Sequence, residues 1–201
     1  MIRTTSSTKG QGRRLSAALT LFSALITGVV VTASVGTTEA HGSRTGDGRQ
    51  MPIPVRVVIP SIGVSARIVP VGLNRDHTIQ VPKSFAVAAW FRPGPEPGEP
   101  GSAVILGHVA SRRGPGVFYR LGSLARGSKI VVVLRNGSKV HWVVTGQKHV
   151  AKARFPVGLV YKRTPDPTLR LITCSGRFNT STGHHVDNTI VFASLDRRGR
   201  P

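Results

Sequence analysis

Two residues of this 201-residue chain have types and positions suited to covalent chemistry. Cys174 is the single cysteine and closes the apolar run Leu-Arg-Leu-Ile-Thr-Cys at 169–174. A thiolate is a strong nucleophile toward carbonyl carbon and needs a base or a cation close by. Strand alternation puts Leu169, Leu171 and Thr173 on one face and Arg170, Ile172 and Cys174 on the other. Ser175-Gly176 follows at once as a turn signal, so Cys174 is expected at a strand end, where rigid scaffolds present functional side chains. Position alone does not make it a nucleophile, because a small buried hydrophobe is the commonest fate of a free cysteine.

Seven histidines are available as partner. His41 and His77 read as surface residues, and His141 and His149 as exposed positions of one long strand. His184 and His185 fall in the loop after the cysteine, where lining a site and decorating a polar loop explain them equally well. His108 stands apart. It follows the apolar run Ala103–Leu106 and Gly107, so it too is expected at a strand end. One cysteine and eight acids without close histidine pairing, apart from 184–185, make a weak ligand set. No metal or cofactor is expected.

These side chains need a frame, and short β-branched runs between glycine and proline signals supply one. They fall at 55–60, 66–72, 78–82, 102–109, 129–137, 139–150, 169–174 and 188–195. Eight candidate strands predict an all-β domain over 53–198, an eight-stranded closed or nearly closed barrel. Asn136-Gly137 marks the clearest hairpin. Helical signal is slight: 117–124 reads as a short helix and 84–90 as a single turn.

The N-terminus bears on location. Arg3, Lys9, Arg13 and Arg14 precede an uncharged apolar run from Leu15 to Val35. About 20 residues span a bilayer, and basic residues before such a run predict an inside N-terminus. The reading is a basic cytoplasmic tail at 1–14, a transmembrane anchor or signal at 15–35, a Gly/Ser/Thr-rich flexible linker at 36–52, and an extracellular domain on a single-pass membrane protein. A cleavable signal is the alternative, ending near Thr38-Glu39-Ala40. The formal charge is +20, which favours polyanions. Export and the lack of an aromatic-plus-basic module argue against nucleic acid. That leaves acidic wall polymers and anionic lipid as partners, with a basic surface that is simply solvated explaining the charge equally well.

A Leu-Gly-His-Val strand end followed 66 residues later by an Ile-Thr-Cys strand end is more specific than either alone. In these motifs the chain resembles the sortases, cysteine transpeptidases of Gram-positive cell surfaces. The resemblance runs from Pro54 to Leu195 and includes IPSIGV at 59–64, AVILGHV at 103–109, FPVGLVY at 155–161 and LRLITCSGRF at 169–178. GPGVFYRLGSL at 114–124 and GHHVDNTIVFA at 183–193 look most like the class F group of actinobacterial sortases.

The resemblance implies a sortase-type barrel, with Cys174 as nucleophile and His108 as its acid/base partner. It implies cleavage of a Thr-Gly-like bond in the C-terminal sorting signal of secreted proteins. The acyl group would pass to an amine of peptidoglycan or its lipid-linked precursor. The family's third residue is an arginine on the strand after the cysteine loop, and this chain departs there. Asn188 aligns at or near that position, while Arg177 and Arg170 lie close in sequence as other donors to substrate or oxyanion. Calcium dependence is not expected, because the acids are few and unclustered. The enzyme is expected to act as a monomer, anchoring being favoured over pilus polymerisation. A different reading survives on sequence: a non-catalytic sortase barrel that binds acidic wall polymers, with Cys174 merely structural.

Overall fold

The computed structural model describes residues 51–197. The tail at 1–14, the anchor at 15–35 and the linker up to residue 50 lie outside the described residues, within which no helix is long and apolar enough to cross a membrane. Alternating apolar residues build the strands β1 (Pro54–Ile59), β2 (Val64–Val71), β3 (Ala88–Phe91), β4 (Gly101–Leu106), β5 (Ala110–Ser111), β6 (Gly114–Pro115), β7 (Lys129–Leu134), β8 (Lys139–Ala151), β9 (Pro167–Asn179) and β10 (His184–Leu195). Eight of them close into a barrel in the order β1-β2-β3-β4-β9-β10-β8-β7, and β5 and β6 pair apart as a small hairpin. Most neighbours are antiparallel, but β2–β3 and β4–β9 are parallel.

The eight-stranded barrel is the one expected, although one of its strands is not. The run at 78–82 forms only an isolated bridge, Leu73 to Ile79. Its place is taken by β3, from the segment read as a helical turn at 84–90. Alanine has low strand propensity, so AAW gives little signal. Yet Ala88 and Ala89 are fully buried between β2 and β4, where small residues let the strands pack over Trp90. The helix expected at 117–124 is only a 3-10 turn at Leu121–Ser123, and the short α1 (Val157–Val160) lies in the connection from β8 to β9.

Burial divides along the pleat as the sequence alternates. Inside the barrel, Val57, Ile59, Ala103, Ile105, Val132, Leu169 and Leu171 pack with Trp90, Trp142 and Phe118. A second, smaller cluster sits on the outer face of β4, β9 and β10: Val104, Ile172 and Ile190, covered by Val160 of α1. Each fully buried aliphatic side chain contributes about 1.5–3 kcal/mol. The outer cluster matters for function, since Cys174 lies on the same face of β9.

Candidate active site

The parallel pairing of β4 with β9 sets the site. Gly101 pairs with Pro167 and, in unbroken register, Leu106 with Ile172. One residue further the strands are still stitched: Gly107 N donates to the Ile172 carbonyl at 3.0 Å, and Thr173 Oγ1 donates to the Gly107 carbonyl at 2.9 Å. His108 follows Gly107 directly and keeps the same 66-residue offset from Cys174, so both candidates fall at the open end of the β4–β9 ladder. Both are half-buried.

Gly107 makes this crossing possible. A Cβ there would stand 2.6 Å from Val117 Cγ1 and 2.7 Å from Phe118 Cδ2, and Phe118 is fully buried. Any side chain would push His108 off the barrel end.

His108 is held from two directions. Its Nε2–H donates to the Pro82 carbonyl at 2.8 Å, since a carbonyl only accepts. The Phe85 ring lies over the imidazole at 4.1 Å between centroids, tilted by 31°. The backbone is fixed as well, with Phe118 N donating to the His108 carbonyl at 2.9 Å. These contacts leave Nδ1 as the nitrogen available to take and give a proton. Both partners come from the segment at 82–85, which sequence reasoning missed as part of the site. A backbone carbonyl leaves no trace in residue type, and Phe85 carries only the weak signal of a large apolar residue before a strand.

On its other side Cys174 faces β10. Asn188 is its direct cross-strand partner, which puts the two Cβ atoms about 4.5–5.5 Å apart on one face. Cys174 is therefore paired with Asn188 toward β10, and on its β4 side the chain runs on from Leu106 through Gly107 to His108.

The strand does not stop at the thiol, contrary to the turn read at Ser175-Gly176. β9 continues to Asn179 and β10 begins at His184, so the two strands form an arm beyond the barrel edge, turned by Thr180–Gly183. A register shift between His185 and Asp187 absorbs Gly176 at φ 73°, where a Cβ would collide with the Asp187 carboxylate. The ladder does end for β4, which stops at Leu106. The β4 ladder thus stops two positions short of Cys174, which is half-buried.

Of the two arginines, neither is brought to the thiol in the same way. Arg177 is exposed on the arm, past the register shift. Arg170 shares the face of Cys174 but lies four positions back, about 13 Å along the strand. It is 8 % exposed, its guanidinium sits 4.8 Å over the Phe192 ring, and Nη1 donates to the Leu169 carbonyl at 3.1 Å. Burial pulls its pKa below the usual arginine value. His185, named with His184 as a loop residue, belongs to β10, where Nδ1–H donates to the Gly176 carbonyl at 2.8 Å and the ring meets Phe178 edge-on.

The comparisons with known proteins agree with this geometry. The family model for the Sortase domain matches residues 57–196. The sortase C-1 structure from Actinomyces oris superposes with a TM-score of 0.57 at 22% identity, over 71% of this chain and 74% of that one. Sortase A from Corynebacterium diphtheriae gives 0.56 at 17% identity, over 73% and 61%. Listeria monocytogenes sortase A gives 0.54 at 19% identity, over 73% and 88%. At these identities the structural likeness is one of fold, shared with sortases of more than one class. No curated protein matches the chain. A family match that spans the barrel and takes in both His108 and Cys174 makes this chain a member of the sortase family, a family of cysteine transpeptidases.

Proposed function

We propose that this protein is a sortase whose Cys174 thiolate attacks the carbonyl of a Thr-Gly-like bond in the C-terminal sorting signal of an exported protein. The observation that carries the reading is the parallel β4–β9 register, whose 66-residue offset is also the separation of His108 from Cys174. As the C–S bond forms, protonated His108 gives its proton to the leaving amine and the peptide C–N bond breaks, leaving a thioacyl-enzyme. An amine of a cell-wall peptide or its lipid-linked precursor then attacks the thioester carbonyl. Its proton goes to His108, the C–S bond breaks, and the sulfur leaves with the electron pair as thiolate. Asn188, across the strand from Cys174, is the residue best placed by register to donate a hydrogen bond to the oxyanion. Neutral amides serve in that role elsewhere, so the missing arginine does not remove the reaction type.

The motifs at 114–124 and 183–193 support a class F assignment, and the apolar run at 15–35 supports a single-span anchor with the barrel outside the cell. Enzyme and substrate would then share one membrane, which raises their effective concentration. The full chain in detergent, incubated with candidate sorting peptides, is expected to gain the mass of the acyl fragment. Cys174→Ala removes the adduct. If no peptide acylates the wild-type thiol, the enzyme reading fails and the barrel is a binding module.

A further inference from the structure

The strands β2, β1, β7 and β8 are neighbours in the barrel, and no Asp or Glu occurs on any of them. Ala66, Val57, Val132 and Val140 point into the core, so the residues between them face outward. These outward residues line up across the sheet. Arg67 pairs with Arg56, Arg56 with Val133, and Val133 with Lys139, which puts three cations in one row over four strands. The next row runs through Ser65, Val58, Val131 and His141, and Val143 lies beyond it beside Lys129.

The barrel gains nothing from this row. Arg56 and Arg67 stand directly opposite each other, where like charges repel. Both are exposed, as is Lys139, and Arg56 reaches Ser65 Oγ only at 3.4 Å from Nη1. Asp196, at the edge of the face, is engaged by Lys129 at 2.7 Å. Val58, Val131, Val133 and Val143 are half-buried and belong to neither apolar cluster. The α-helix α1 covers the other side of the barrel, over β4, β9 and β10. What remains is a patch of valines bordered by cations.

The place of this face in the chain selects its partner. The described residues begin at Met51 and enter the barrel through β1, a central strand of the face. The anchor proposed at 15–35 would keep β1 within about 60 Å of a bilayer even with the chain between fully extended. A cationic face on so short a lead meets the lipid surface at high effective concentration. The valines separate lipid from wall polymer. Apolar side chains beside cations gain at the boundary of headgroups and acyl chains, whereas a sugar–phosphate chain offers them little. In barrel order the β1–β7 pair also stands across from the β4–β9 pair. A barrel lying on this face turns the ladder that leads to Cys174 and His108 away from the bilayer.

We propose that the outer face of β2, β1, β7 and β8 docks on an anionic membrane surface, with Arg56, Arg67 and Lys139 on lipid phosphates and the valines at the headgroup boundary. The nearness argument uses the proposed anchor, but the charge argument does not, and neither needs the transpeptidase reading. The full chain is mixed with vesicles of phosphatidylcholine, alone or with phosphatidylglycerol as minor lipid. Amine labelling of Lys139 is then read by mass against Lys162, an exposed residue whose carbonyl accepts from Ser102 of β4. Phosphatidylglycerol should slow labelling of Lys139 relative to Lys162 by about fivefold to 25-fold, given about fivefold per basic residue at an anionic surface. High salt should abolish the difference.

Arg56→Gln with Arg67→Gln should return Lys139 to its rate on phosphatidylcholine, and Arg56→Lys with Arg67→Lys should keep most of the protection. Thermal unfolding of the Gln variant in buffer should stay level or rise, since a like-charge pair is removed. A clear fall would assign the arginines to the barrel itself and overturn the proposal. Equal labelling on both vesicles overturns it too, as does protection that survives in the Gln variant. Protection by soluble polyglycerol phosphate but not by vesicles gives the face to a wall polymer instead, which also overturns it. Acylation of Cys174 by a soluble sorting peptide should be the same in wild type and Gln variant. A wild-type chain that never acylates removes the transpeptidase reading and leaves the docking face standing.

Discussion

The outer face of β9 holds two residues, Arg170 and Cys174, that the pleat aims in the same direction yet that meet opposite surroundings. Around Arg170 the face is sealed. Val160 of α1, Phe155 and Tyr161 of the same connection, and Phe192 of β10 cover Val104, Ile172 and the guanidinium. At Cys174, which is half-buried, β4 has ended and the cross-strand neighbour is the polar Asn188 rather than an apolar residue. One strand is thus sealed in its first half and carries the proposed chemistry in its second. The point of change is set by where the neighbouring strand stops rather than by anything in β9 itself.

This contrast can be broken from both ends, and the largest effects belong to the open end. His108→Ala should lower the acylation rate by about 10²–10⁴-fold, the usual contribution of a positioned acid/base group. Thermal unfolding should move little, since the half-buried ring packs mainly on the exposed Phe85. Asn188→Ala should cost about 10²–10³-fold in the same single-turnover assay, as loss of an oxyanion donor does. Arg177→Ala, beyond the register shift, should cost clearly less. The reverse order between Asn188→Ala and Arg177→Ala would move the oxyanion donor onto the arm.

The sealed end should answer in stability instead. Burial pushes the Tyr161 hydroxyl up to about 12. Its folded pKa exceeds the unfolded value, so the linked stability is complete below pH 10 and is lost as pH rises toward 12. Chemical denaturation across that window should show a fall of up to about 2–3 kcal/mol from this group. Tyr161→Phe should remove that component, and a pH dependence unchanged in the variant would mean that the cover is not dry. The smallest effect is expected at Arg170. Its Nε is buried without a hydrogen-bond partner, so Arg170→Met should change stability by no more than about 1 kcal/mol in either direction. Acylation should be retained. A large loss of acylation at unchanged stability would make Arg170 part of the substrate site after all.

The two ends also differ in how well the sequence announces them. Cys174 and His108 stand out as candidates because a rare residue at the close of an apolar run is conspicuous, and their 66-residue separation equals the offset of the β4–β9 pairing. The inside and outside faces of β9 follow from alternation alone. What the sequence hides is whatever depends on a neighbour elsewhere in the chain. The burial of Arg170 depends on Phe192 and the β8–β9 connection, neither visible from LRLITC. The Pro82 carbonyl acts through backbone, 26 residues from the histidine it orients. β3 escapes notice because alanine signals packing space rather than strand, and 78–82 misleads because β-branched residues there find no partner strand beyond one bridge.

The parallel β4–β9 pairing has a consequence for how the protein comes to be active. A parallel pair cannot be closed by a tight turn, and here the crossover between its strands contains β5, β6, β7, β8 and α1. Loop closure over so much chain is slow compared with forming any of the barrel's local hairpins. Cys174 and His108 come to the same end of the barrel only when that late closure is made. A partly folded chain would carry its single cysteine without the proposed base beside it, and reactivity would arrive together with the finished barrel.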